Sequence, residues 1–280
     1  MLKIETIQEM RAAAAGLREK GARVALIPTL GALHLGHASL VRQAKSKGYA
    51  VVLSTFVNPL QFGPNEDLGK YPRSPESDAD LAEREEVDVL FVPTTEEMYP
   101  KGFSTYVTED HVSKPLCGVS RPQLFRGVLT GWLKLINVVQ PDVLVMGDRD
   151  LQQVAVLRKA LKDLMVPVDV ITAGTVRDVD GLAVSARNAY LSPTYRADAL
   201  AVYQSLCKAK EMVESGVKSA DRVVAEVTHI LSAKRRLRII YISIVNRDTM
   251  EAMREIVPDQ SLLAIAYWVD EVRLTDNLPL

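Results

Sequence analysis

"RVALIPTLGALHLGHASLVRQAKSKGYAVVLSTFV", residues 23–57, sets two short apolar runs on either side of a helical pattern. The runs "RVALIPT" (23–29) and "AVVLSTFV" (50–57) are continuous rather than alternating, which is how strands read when both faces of their sheet are covered. Between them "GHASLVRQAKSKG" (36–48) has helical spacing and a glycine stop. Strand, crossover helix and second strand form a βαβ unit, so a parallel sheet is expected.

The rhythm continues outward from that unit. An acid-flanked helix "SDADLAEREE" (77–86) leads to the strand "VDVLFVP" (87–93), and a long helix at 125–139 to the strand "DVLVMG" (142–147). A helix over 150–164 and the strand "VDVITAG" (168–174) complete the pattern. The fold class expected is α/β, with a doubly wound, Rossmann-like domain over residues 1–175. Beyond it, helical stretches at 193–216 and 219–233 precede β-rich runs at 238–245, 261–269 and 272–278. That order predicts a smaller α+β domain over residues 176–280, closing over the active site of the first. The N-terminal 21 residues carry a helical pattern of mixed charge and no apolar signal core.

Bulk properties narrow the function. A net charge of −1 over 280 residues supplies no field for polyanions, and the basic cluster at 234–238 is too short for a nucleic-acid surface. Cys117 and Cys207 match no metal or redox spacing, which suits free thiols in a reducing compartment. The longest apolar run, residues 262–269, falls well short of the roughly 18 residues that cross a bilayer. A cytoplasmic protein with no nucleic-acid or membrane partner is expected.

Ligands of an open parallel sheet gather at the carboxyl ends of its strands. Four glycine-marked polar segments follow strands here. In "LGALHLGH" (30–37), Gly31 and Gly36 allow close backbone approach, the following helix aims its first N–H groups outward, and His34 and His37 add donors, which together make an anion site. Read alone, such a pair is more often a helix cap or incidental, and zinc would need further ligands. In "NPLQF", Asn58 and Gln61 are either turn-forming amides or ligands of a neutral or carboxylate-bearing small molecule. "GDRDLQQ" sets Asp148 and Asp150 around Arg149 before Gln152 and Gln153, which serves equally as a helix cap with Arg149 as a surface partner or as a binding segment. "VDGLAVSARN" carries Ser185, Arg187 and Asn188, suited to a phosphate clamp or to a solvated hinge.

Taken in order, these segments resemble the pantothenate synthetase (pantoate–β-alanine ligase) family over essentially the whole chain. The family pattern "PTMGALHxGHxxL" stands here as "PTLGALHLGHASL", "FVNPxQF" as "FVNPLQF", "YPRT" as "YPRS", "RPxHFxGVxTVVxKLFNxVxP" as "RPQLFRGVLTGWLKLINVVQP", "FGxKDxQQ" as "MGDRDLQQ", and "DGLAxSSRNxYL" as "DGLAVSARNAYL". HxGH alone marks only the wider nucleotidyl-transferring superfamily. The resemblance implies that pantoate is activated by ATP as pantoyl adenylate and then captured by β-alanine, with AMP and pyrophosphate released. It implies catalytic roles for His37 as proton donor, His34 and Arg149. It implies ATP binding by Leu30, Gly31, Ala32, Leu33, His34, Leu35, Gly36, His37, Gly147, Asp148, Arg149, Asp150, Val176, Val184, Ser185, Ala186 and Arg187. Gln61, Gln153 and Asn58 would hold pantoate and β-alanine. Mg2+ would ride on the phosphates, with Asp150 and the acids near Asp78 as candidate helpers, and the chain would form a homodimer. Arg149 replaces the family lysine, Ala186 a serine, Leu124 a histidine, and Gly131 interrupts "TVV". Two other readings remain: a nucleotidyltransferase of the same superfamily acting on a phosphate acceptor, and a diverged nucleotide-binding protein without turnover.

Overall fold

The computed structural model describes residues 1–64 and 66–280. Contacts divide the chain into two compact units, one of residues 1–109, 123–148 and 156–176, the other of 110–122, 149–155 and 177–280.

The first unit holds a six-stranded sheet of β1 (Leu2–Ile4), β2 (Val24–Thr29), β3 (Ala50–Thr55), β4 (Val89–Phe91), β5 (Val143–Gly147) and β6 (Asp169–Ala173). All its pairings are parallel and the spatial order is β1-β4-β3-β2-β5-β6. The helices are α1 (Ile7–Glu19), α2 (Leu35–Ser46), α3 (Pro75–Arg84), α4 (Thr95–Met98), α5 (Cys117–Ser120), α6 (Leu124–Val139) and α7 (Leu151–Asp163), of which α5 and the start of α7, through 155, lie in the second unit. Ala25, Ile27, Val51 and Leu53 cover one sheet face against Val41 and Ala44 of α2 and Ala82 of α3. The alternate residues of the same strands are equally buried, which is why the strands read as unbroken apolar runs.

Strand order turns at β2, with β3 and β4 added on one side and β5 and β6 on the other. The boundary between β2 and β5 is therefore the topological switch point, where such sheets bind ligands outside their carboxyl ends. Segment 30–37 leaves β2 there and Gly147–Asp148 leaves β5.

One expectation fails at the N-terminus. Leu2–Ile4 is a strand in register with Val89–Phe91, and helix begins only at Ile7. Three residues cannot display a period; the open edge of β4 makes them a strand.

The second unit is α+β, as expected. Its antiparallel sheet runs β7 (Leu237–Asn246), β8 (Ser261–Val269), β9 (Val272–Pro279), in that spatial order. Helices α8 (Pro193–Glu214) and α9 (Ala220–Ser232) cover it. Val202 and Leu206 of α8 and Val223, Val227 and Leu231 of α9 share a core with Leu263, Ile265 and Tyr267 of β8.

Candidate functional site

At the end of β2 the chain turns through Gly31 and Ala32, with φ of 79° and 49°. Backbone in this region makes successive amides converge on one point, the geometry of an anion nest. Here the anion is internal: Ala32 N and Leu33 N donate to the two carboxylate oxygens of Asp78, at 3.0 and 2.7 Å. Asp78 is 5% exposed and also accepts from the Ser74 hydroxyl at 3.2 Å. It anchors the loop, a task the sequence reading missed when it offered the acids near Asp78 to magnesium. A signal existed: on α3 a carboxylate stands one turn from Ala82, on the helix face that is buried.

His34 caps α2, its Nδ1 accepting from Gly36 N at 3.2 Å, while His37 Nδ1 accepts from His34 N at 3.2 Å. The two imidazoles stack with centroids 4.0 Å apart. With each Nδ1 an acceptor, the neutral rings carry their hydrogen on Nε2. Both rings are half-buried rather than sealed in the core, and Leu35 between them is exposed. The sequence reading expected free first-turn amides. In the structure Gly36 N is taken by His34 Nδ1 and His37 N by His34 O at 2.8 Å. The helix-cap reading is therefore the one seen in the structure, and the cap engages Nδ1 of each ring.

Beyond β3, Pro59–Gln61 forms one short 3-10 turn with Asn58 at its head. The sequence assigns Asn58 to the substrate; the structure buries it to 2% exposure and engages its amide within the protein. Its Oδ1 accepts from Leu60 N and from the Tyr99 hydroxyl, each at 3.1 Å, and its Nδ2 donates to Gly127 O at 3.0 Å. Burial pushes the Tyr99 phenol up to about 12. Helix α6 approaches the turn so closely that a Cβ on Gly127 would lie 1.9 Å from Leu60 O, and one on Gly131 2.5 Å from Asn58 Nδ2. Asn58 thus positions the turn, and Gln61 at its end is half-buried.

In the second unit, Arg149 Nη1 donates to Val184 O at 3.0 Å and its Nη2 lies 3.7 Å from Asp150. Ser185 caps a 3-10 turn, Ala186–Tyr190, by accepting from Arg187 N at 3.3 Å. The two glutamines divide their labour. Gln152, 8% exposed, accepts from Cys117 N and donates to Val112 O and Pro115 O, whereas Gln153 is only half-buried. The structure therefore sets His34, His37, Gln61, Gly147, Asp148 and Val176 along the carboxyl edge of the parallel sheet of the first unit. It groups Arg149, Asp150 and Val184 to Arg187 within the second, which also contains Gln153.

A family model described as pantoate-beta-alanine ligase matches residues 2–279. The chain belongs to the pantoate–β-alanine ligase family. It is 47% identical to the pantothenate synthetase of Thermotoga petrophila over 98% of both chains, and 43% identical to that of Moorella thermoacetica over 99% of this chain and 98% of the other. The crystal structure of pantothenate synthetase from Thermus thermophilus superposes with a TM-score of 0.94 at 39% identity, covering 100% of this chain and 99% of that one. A pantoate-beta-alanine ligase from Francisella tularensis, solved with beta-gamma ATP and beta-alanine, superposes with a TM-score of 0.81 at 29% identity, covering 100% and 97%.

Two departures from the ligase family pattern now have a structural setting. Gly131, in place of valine, leaves the space that the Asn58 amide occupies. Leu124, in place of histidine, is buried in the first turn of α6.

Proposed function

We propose that the chain condenses pantoate with β-alanine at the expense of ATP. A pantoate carboxylate oxygen attacks the α-phosphorus; the P–O bond to the β-phosphate breaks and pyrophosphate leaves. The β-alanine amine then attacks the acyl carbon of pantoyl adenylate; the C–N bond forms, the acyl C–O bond breaks, AMP departs, and the amine proton passes to solvent. The adenylate is already activated, so no protein nucleophile is required, and catalysis consists of positioning and charge stabilisation.

The observation that carries this reading is the pair of rings at the end of β2, whose Nδ1 atoms are held by backbone amides. On this reading the Nε2–H groups donate to phosphate oxygens, with His37 serving adenylation. Gln61 offers its amide to pantoate and the incoming amine. By the family pattern Gln153 also holds pantoate, and Arg149 with Val184 to Arg187 holds nucleotide. Magnesium would supply charge neutralisation on the phosphates. Among the described residues no three His, Cys, Asp or Glu are gathered as a cage, which suits a cation carried in by ATP with Asp150 as its carboxylate. The same reading makes the protein a cytoplasmic homodimer. Among the described residues no helix is long and apolar enough to cross a membrane.

Purified protein given pantoate, β-alanine and MgATP should release AMP and pantothenate in equal amounts; ATP consumption without amide product overturns the assignment. His37→Ala should slow pantoate-dependent pyrophosphate release by about 100- to 1,000-fold. His37→Gln, which can restore the cap, should recover stability without activity.

A further inference from the structure

We propose that Asn277, on the last strand, is a positioning residue for Arg149 and thereby for nucleotide binding; this rests on the ATP-dependent reading above. Asn277 is 8% exposed, and its Nδ2 donates to Arg149 O at 2.6 Å. Pairing with Ala264 of β8 fixes its backbone inside the antiparallel sheet. Its neighbour Asp276 receives both arms of Arg177, at 2.7 and 2.9 Å, and the Asn277 backbone N–H at 2.9 Å. Arg177 in turn donates to Gly181 O at 3.2 Å and pairs by backbone with Ala183. Two consecutive residues of β9 therefore hold two separate segments, one at 149 and one at 177–183.

Arg149 closes the triangle through Val184 O at 3.0 Å. A guanidinium can spend one arm on that carbonyl and keep further N–H groups for a phosphate, which the single ammonium of the family lysine does with less geometric control. The guanidinium is useful only if its own backbone is fixed, and Asn277 bonds that backbone. Without the amide, the Arg149 carbonyl loses its donor and the turn carrying the arginine loses its link to the sheet.

Calorimetric binding of a non-hydrolysable ATP analogue tests this on the full chain, using Asn277→Ala, the isosteric Asn277→Asp, Arg149→Met and the Asn277→Ala/Arg149→Met double variant. Either Asn277 variant should weaken binding about tenfold, roughly the effect of one lost buried hydrogen bond. In turnover, KM for MgATP should rise while kcat changes less. The double variant should bind no worse than Arg149→Met alone, because the two residues act through one group. Wild-type affinity in both Asn277 variants, additive losses in the double variant, or unfolding of both single variants overturns the proposal. Wild-type protein that binds the analogue yet makes no pantothenate overturns only the ligase reading; absence of binding to wild type overturns both.

Discussion

The histidine loop and the Pro59–Gln61 turn leave adjacent strands, β2 and β3, and are held by opposite means. The first is held by polarity: a buried carboxylate accepts from two consecutive amides, and two imidazoles close a capping box. The second is held chiefly by shape around one neutral amide: the hydrogen-bonded Asn58 side chain sits in space left by Gly131, and Gly127 lets a carbonyl pass where any side chain would collide. The contrast fits the tasks proposed for them. On the proposed reading charge builds up at phosphates beside the histidines, so their donors must be pre-oriented. A neutral amide at Gln61 needs a precise place more than a particular field.

The contrast breaks first at Asp78. Asp78→Ala should leave the half-buried amides of Ala32 and Leu33 without acceptors, at about 1 kcal/mol each. Adenylation should fall by two orders of magnitude or more, and KM for pantoate should move little. Asp78→Asn keeps one acceptor oxygen and should fall between that variant and wild type. Pyrophosphate-release kinetics with a thermal melt read both quantities; an unimpaired Asp78→Ala would mean that polarity does not hold this loop. Gly127→Ala attacks the other means. One added methyl group should push Leu60 and Gln61 off α6, cost about 1–3 kcal/mol, and raise KM for pantoate about ten- to a hundredfold with ATP binding intact. A loss of ATP affinity equal to the loss for pantoate would erase the distinction.

The same contrast explains what the sequence reveals. Sheet and helices are legible because the central strands are buried on both faces and so appear as unbroken apolar runs. The capping box is legible because its partners lie within three residues of one another. Asp78 is half-legible, a charge at a position where α3 turns inward. The holding of Asn58 is not: its partner 69 residues away is a backbone carbonyl, and glycine at 127 and 131 signals permitted space without saying what fills it. Asn277 is harder still, acting on a carbonyl 128 residues distant. β1 escaped because only the edge of β4 defines it.

The finest test lies at Tyr99, whose hydroxyl makes one of the three hydrogen bonds to the Asn58 side chain. Tyr99→Phe removes the hydroxyl that donates to Asn58 Oδ1 and leaves the ring, so KM for pantoate should rise only a few-fold, in keeping with a net hydrogen bond of about 1 kcal/mol. The variant also has a pH signature. Because burial raises this phenol to about 12, the fold favours its neutral form. That stabilisation is complete below the ordinary tyrosine value of about 10 and is lost as pH climbs from there toward about 12, where the unfolded chain ionises first. Urea unfolding at pH 9 and pH 11 should therefore show a smaller loss for Tyr99→Phe than for wild type. Part of the loss should persist, since the buried phenols of Tyr241 and Tyr267 are raised as well. Equal losses in the two proteins would mean that Tyr99 meets solvent, and the turn would then be held without it, by Asn58 and α6.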